Sequence, residues 1–249
     1  MDFEKISPQS FVGKLLRLPL KLIPANAQMP ILSGKLRGKK WIVGAGRHGS
    51  WLGTYEAQTQ HLFIQALNPG MTVFDIGAQA GFYTLLASHL VGKQGRVFAF
   101  EPLPRNLAYL HQHLAINHLE NVTVIEAAVA ETSGVAFFKE AASSYQGKLS
   151  EKGGLSVKTI SLDDFCQSQL NPVPQVIKMD IEGAEYQALK GAKQLFARAH
   201  PTLFLAIHGQ QNYQHCIQLL TQWNYRIQVL NRHEKDELSD NLEAIAYYQ

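Results

Sequence analysis

From residue 72 to the C-terminus, short apolar runs alternate with stretches of helical periodicity, and this alternation constrains the fold more than any other feature of the chain. Strands that take turns with helices build a parallel sheet with helices on both faces. The strand TVFDI (Thr72–Ile76) leads through a glycine turn to a helix over Phe82–Leu90, and RVFAFE (Arg96–Glu101) to a helix over Arg105–His118. VTVIEAAV (Val122–Val129) follows as one strand. VAFFKE and LSVKTISL then read as paired strands around the polar loop AASSYQGKLSEKGG, either a hairpin tip or a flap beside a site. SLDDF opens a helix for which Ser161 is the expected cap. The alternation resumes with the strand QVIKMD, the helix AEYQALKGA, the strand TLFLAIH, the helix YQHCIQLLTQW and the strands YRIQVL and EAIAYY.

A chain of 249 residues has room for one large α/β domain with an N-terminal extension. Its net charge of +3 comes from basic residues scattered among acids, which argues against a nucleic acid partner. Cys166 and Cys216 have no metal-ligand partner at short spacing and are expected to be reduced thiols of a cytoplasmic protein. No apolar run reaches the length of a transmembrane span. The segment FVGKLLRLPLKLIP is interrupted by Lys14, Arg17, Pro19 and Lys21. It is expected to be a short helix packed on the domain, with a membrane-surface helix as the alternative.

The turn in VFDIGAQAGFYT places Gly77 and Gly81 four residues apart between a strand and a helix. A dinucleotide site would want further glycines at positions 79 and 82, which are Gln79 and Phe82, so a nucleotide-dependent oxidoreductase is the weaker alternative. The order acid, one residue, glycine, three residues, glycine suits a nucleoside with an amino-acid tail. Gly77 permits a tight turn and close backbone approach, and Asp75 can attract an ammonium group. Glu101, 24 residues beyond Gly77 at the end of the next strand, can accept both hydroxyls of a ribose, and Pro102 stiffens the turn after it. S-adenosylmethionine combines these chemical parts. Valine at position 77 is expected to abolish its binding while leaving the fold largely intact.

The stretch KMDIEGAE (Lys178–Glu185) sets three carboxylates around one glycine after an apolar run. Strand alternation points Ile177, Met179 and Ile181 one way and Lys178, Asp180 and Glu182 the other. Asp180, ending a central strand, suits a cationic sulfonium. Glu182 either joins the site or pairs with Lys178, and Glu185 suits the first turn of a helix. Magnesium could sit on one or two of these carboxylates, but a third ligand is not evident and no metal ion is expected. His208, at the end of TLFLAIH, is the candidate base. His48 lacks that placement, and His111, His113 and His118 lie on a helix where a surface position is expected.

These motifs together resemble the FkbM-like family of class I S-adenosylmethionine-dependent methyltransferases. The resemblance runs from about Gly53 to the C-terminus through GTYE (Gly53–Glu56), DIGAQAGFYT, FEPLPRN (Phe100–Asn106), TISLDDF and KMDIEGAEYQALKGA (Lys178–Ala192). The family usually has asparagine where Gln79 stands and often an acid where Ala206 stands. The resemblance implies a doubly wound Rossmann-like sheet, mostly parallel with an antiparallel C-terminal strand, in which QVIKMD neighbours TVFDI. It implies a methyltransferase domain over residues 57–249 and an extension over 1–56 that covers the cofactor or acceptor site. It also implies that S-adenosylmethionine is held by Tyr55, Glu56, Asp75, Gly77, Ala78, Gln79, Gly81, Tyr83, Glu101, Pro102, Asn106, Glu126, Ala127 and Asp180. Catalysis would fall to His208, aided by Asp180 and Glu182, on a hydroxyl of a small secondary metabolite or sugar, in a chain that could form a homodimer. The absent acid at Ala206 keeps open a non-catalytic, cofactor-binding module.

Overall fold

The computed structural model describes residues 19–140, 147–150, 154–167, 172–230 and 241–249. Most of the expected segment Phe11–Pro24, and residues 141–146 and 151–153 of the polar loop, lie outside the described residues. A short 3-10 helix over Pro19–Leu22 precedes a hairpin of β1 (Gln28–Pro30) and β2 (Lys40–Ile42), followed by α1 (His48–Leu52) and α2 (Ala57–Ala66). Then come β3 (Thr72–Ile76), α3 (Phe82–Val91), β4 (Arg96–Phe100), α4 (Pro104–Ile116), β5 (Val122–Ile125) and β6 (Ala128–Val129). β7 (Gly134–Glu140), β8 (Gly147–Ser150) and β9 (Leu155–Ile160) precede α5 (Leu162–Gln167). The last third comprises β10 (Val176–Met179), α6 (Glu185–Lys190), α7 (Lys193–Ala199), β11 (Thr202–His208), α8 (Gln210–Gln222), β12 (Tyr225–Val229) and β13 (Asn241–Tyr248).

Seven strands form the central sheet in the order β12, β13, β11, β10, β3, β4, β5. All neighbours are parallel except β13, which runs antiparallel between β11 and β12. The expected mostly parallel Rossmann-like sheet with an antiparallel C-terminal strand is therefore present, and QVIKMD does lie beside TVFDI. Every residue of β3 and β10 is buried, as both faces of a central parallel strand must be. On one face Phe74, Phe98, Phe100 and Phe165 pack with ring centroids 5.1 to 5.5 Å apart. On the other, Ile31, Trp41, Ile42 and Trp51 of the N-terminal segment share one apolar cluster with Val73, Leu86, Val97 and Phe204. That segment is thus part of the core.

Some expectations need correction. VTVIEAAV is two strands, because the chain turns at Glu126 and Ala127 and leaves the central sheet for a second, four-stranded one ordered β6, β9, β7, β8. Glu126 is the only charged residue in the run, and one exposed acid does not say that the chain changes sheets there. VAFFKE and LSVKTISL do pair antiparallel, but β8 inside the loop extends them. AEYQALKGA is only the first of two helices, since α7 follows directly. Ser161 caps α5 as expected, its Oγ accepting from the Asp164 N–H at 3.1 Å. Cys166 and Cys216 are free and buried. Among the described residues no helix is long and apolar enough to cross a membrane.

Candidate cofactor and acceptor site

The C-terminal ends of β3, β10 and β11 open on a cavity of about 580 Å³, at the edge of an α/β sheet where ligands bind. Its floor is Asp75, the turn Gly77 to Ala80, Lys178, Asp180, Glu182 and His208. Trp41, Arg47, Tyr55 and Glu56 of the N-terminal segment form one wall, and Glu243 of β13 contributes from the side.

The turn is built by backbone contacts. The Gly77 and Ala78 N–H groups both donate to the Phe100 carbonyl, at 2.9 and 3.0 Å. Gly77 has φ 84°, and a Cβ there would stand 1.9 Å from the Asp180 carbonyl oxygen. The glycine therefore lets β3 and β10 approach each other, which overturns the expectation that valine would spare the fold. Gln79 adopts φ 49°, a left-handed conformation that asparagine tolerates better than glutamine does. Its N–H donates to Glu101 Oε2 at 2.9 Å, while the Leu103 N–H and Asn106 Nδ2 donate to Oε1 at 2.9 and 3.1 Å. These contacts leave Oε2 with acceptor capacity. Burial pushes the Glu101 carboxyl up to about 7 against the pull of these donors.

Asp75 is buried and its Oδ2 accepts from Thr84 Oγ1 at 2.5 Å; burial pushes its pKa up to about 6. Beside it stands Lys178, only 3% exposed, with Nζ 3.8 Å from Asp180 Oδ2 and 5.0 Å above the Tyr83 ring. Burial pulls the lysine's pKa down, but Asp180, Glu56, Glu243 and Asp75 together hold it above the ordinary value. Tyr83 donates to Glu56 Oε2 at 2.8 Å, and burial raises the pKa of both Tyr83 and Tyr55, keeping the phenols protonated.

At the far end of β10, Glu185 is fully buried and accepts from the Ile181 and Gly183 N–H groups, from Asn212 Nδ2 and from His208 Nδ1, the last at 3.0 Å. The expected position in the first turn of a helix is correct, but its principal contacts are with the β10 turn and His208. Because a carboxylate accepts, the His208 proton lies on Nδ1 and Nε2 is turned toward Asp180 Oδ1 (3.8 Å) and Glu182 Oε2 (3.5 Å). Burial lowers the His208 pKa, yet the Glu185 hydrogen bond and the three carboxylates more than offset it and leave the pKa raised. Asp180 Oδ1 is buried without a hydrogen-bond donor. Donor atoms of Asp180, Glu182 and His208 lie within 4.8 Å of one another, a spacing at which a divalent cation could be held.

The cavity thus gathers Tyr55, Glu56, Asp75, Gly77, Ala78, Gln79, Tyr83, Asp180, Glu182 and His208. Gly81, Glu101, Pro102, Asn106 and Ala127 stand outside its lining, at the start of α3, just after β4, in the first turn of α4 and just after β5. Glu126 is exposed and 3.4 Å from His111 Nε2. Lys178 pairs with Asp180 rather than with Glu182. His113, expected on the surface, is fully buried, and burial pushes its pKa down to about 4. Sequence reasoning passed over Glu185 as a contact of His208, and also Glu243, Trp41 and Arg47. Glu243 lies directly opposite Ala206 across β11 and β13, so a carboxylate enters the cavity from the neighbouring strand. Only the non-local strand pairing could have revealed it.

Gly77→Ala is expected to destabilise the protein by at least about 2 kcal/mol, from overpacking against backbone and from a positive φ. Urea denaturation checks this, and stability equal to wild type would mean that β3 and β10 do not meet at this glycine.

A family model described as the methyltransferase FkbM domain matches residues 75–227. The chain is 28% identical over 138 residues to hexuronic acid methyltransferase AglP of Haloferax volcanii, covering 55% of this chain and 56% of that protein. It is 27% identical over 141 residues to ribosomal RNA large subunit methyltransferase E of Nitrosomonas europaea, covering 54% and 65%. The chain therefore spans less than two thirds of the length of either relative. Among solved structures, methyltransferase FkbM from Methylobacillus flagellatus aligns with TM-score 0.50 and 19% identity over 82% of this chain and 56% of that one. A Streptococcus mutans protein described as a methyltransferase, in complex with SAH, aligns with TM-score 0.54 and 10% identity over 77% and 96%. At these identities the structural likeness establishes the fold, while the family match spans most of the central sheet and both motif-bearing strand ends: the chain belongs to the FkbM methyltransferase domain family.

Proposed function

We propose that this chain is an S-adenosylmethionine-dependent methyltransferase acting on a hydroxyl of a small sugar or related metabolite. The observation that carries the reading is His208, whose tautomer is fixed by buried Glu185 so that Nε2 faces the cavity floored by the glycine turn. The residues present fit the cofactor. Asp180 Oδ1 is a buried acceptor without a hydrogen-bond donor, and Glu101 Oε2 retains capacity for a ribose hydroxyl. The acids Asp75, Asp180, Glu182, Glu56 and Glu243 outnumber the cations Lys178 and Arg47 in the lining, which favours a ligand carrying a sulfonium. When bound, the cofactor supplies an electrophilic methyl group on positively charged sulfur, and the product is neutral S-adenosylhomocysteine.

The chain's own part is alignment, exclusion of water and removal of one proton. His208 Nε2 takes the hydroxyl proton as the oxygen bonds carbon, and the resulting imidazolium is stabilised by Glu185, Asp180 and Glu182. The first relative's name supports a sugar acceptor. Glu243 opposite Ala206 weakens the case for a non-catalytic module, because the cavity still receives a carboxylate there.

S-adenosylhomocysteine is expected to bind the wild type at micromolar strength, and Glu101→Ala at least tenfold more weakly through the loss of charge-assisted hydrogen bonds of about 1.5 to 3 kcal/mol each. Equal calorimetric affinities would remove Glu101 from the site. With labelled cofactor and a panel of hexose and hexuronate glycosides, His208→Ala is expected to slow the chemical step by about 10² to 10⁴ while S-adenosylhomocysteine affinity stays within a fewfold. The wild-type rate should fall as pH drops through the raised histidine pKa, because the protonated ring accepts nothing further, so this limb lies above the ordinary value near pH 6.5. A flat profile between pH 5 and 8 with near-normal turnover in His208→Ala would contradict the base. Turnover that requires added magnesium and stops with a chelator would assign the three donors to a metal instead.

A further inference from the structure

One buried side chain hydrogen-bonds to both a wall of the cavity and its floor. His113, on the last turn of α4, has Nδ1 2.7 Å from the Ala80 carbonyl oxygen, and its Nε2 accepts from the Ile42 N–H at 2.9 Å. A carbonyl only accepts and an amide only donates, so the two contacts together demand a neutral ring with its proton on Nδ1. The Trp41 ring stacks on it with centroids 3.9 Å apart and planes 20° from parallel. One turn later Asn117 completes the attachment. Its Oδ1 accepts from the Lys40 N–H at 2.8 Å, while Nδ2 donates to the Lys40 carbonyl at 2.9 Å and to the His113 carbonyl at 2.8 Å. Two side chains of a helix thus occupy the backbone groups of β2 as a neighbouring strand would.

We propose that His113 is a positioning residue of the methyl-transfer site, holding the N-terminal wall at a fixed distance from the glycine turn. Ala80 belongs to that turn and Trp41 to the wall, and both line the cavity. From Ile42 the chain runs through Arg47 to Tyr55 and Glu56, so the placement of the whole wall follows from where β2 is tied. Loss of either hydrogen bond loosens β2 from the turn at Ala80, while Glu56 keeps its contact with Tyr83. Burial pulls the ring's pKa down against the opposing Ala80 hydrogen bond, and the Ile42 N–H occupies Nε2, so the ring stays uncharged. The role rests on reading the cavity as the cofactor and acceptor site.

The test compares His113→Phe, which can stack on Trp41 but makes neither hydrogen bond, with His113→Gln, which can donate and accept. Each is assayed by trypsin cleavage after Lys40 and Arg47 and by calorimetry with S-adenosylhomocysteine. The phenylalanine variant is expected to be cut at least tenfold faster and to bind about tenfold more weakly, with glutamine recovering much of both. Asn117→Ala, which leaves the Ala80 contact in place, is expected to speed cleavage alone and serves if His113→Phe does not fold. Cleavage and affinity within twofold of wild type in His113→Phe, or in its absence unchanged cleavage in Asn117→Ala, would overturn the role. Failure of wild type to bind S-adenosylhomocysteine would instead count against the cofactor reading, while the cleavage comparison would still judge the attachment.

Discussion

A lysine ammonium sits in the middle of the central sheet, and much of the rest of the site is arranged around it. Lys178 occupies a strand covered on both faces, where an unpaired charge would cost several kcal/mol. The carboxylates acting on it come from four places: Asp180 from the end of its own strand, Asp75 from β3, Glu56 from the N-terminal segment and Glu243 from β13. They can meet only if β10 lies between β3 and β11, if β13 lies beyond β11, and if the N-terminal segment folds over the sheet edge. Neutralising one buried cation and lining the cavity are therefore the same task. The excess of acid that remains makes the pocket suited to a positively charged ligand.

Local conformations at the edge point the same way. Glu56, Gln79 and Glu182 each have positive φ, at 47°, 49° and 54°. Non-glycine residues hold that region only where surrounding contacts impose it. Glu185 imposes it at residue 182 by accepting the N–H groups on either side. Glu101 does so at residue 79 by accepting the Gln79 N–H. A buried carboxylate thus fixes the turns at Gln79 and Glu182 and leaves their neighbours free to face the cavity.

Much of this was legible in the sequence because it is local or periodic. The strand and helix alternation, the glycine turn and the acids ending TVFDI, RVFAFE and QVIKMD all mark the same sheet edge. Alternation correctly put Lys178 and Asp180 on one face. What stayed hidden depends on tertiary contact. His113 is one of several polar residues on a helix, and nothing nearby in sequence says that β2 will cover it. Glu185 matches a helix start so well that its burial leaves no mark. The break between Ile125 and Ala128 falls within a run whose apolar character serves two different sheets.

The central claim is that the cavity at the ends of β3, β10 and β11, together with Glu101 just after β4, receives S-adenosylmethionine. A crystal structure determined with S-adenosylhomocysteine tests it most directly. Density is expected across the Gly77 to Ala80 turn, with the ribose against Glu101 and the sulfur toward Asp180 and His208. Density absent there and present instead in the cavity at the opposite end of the strands, lined by Lys39, His89, Lys93 and Arg96, would contradict the claim.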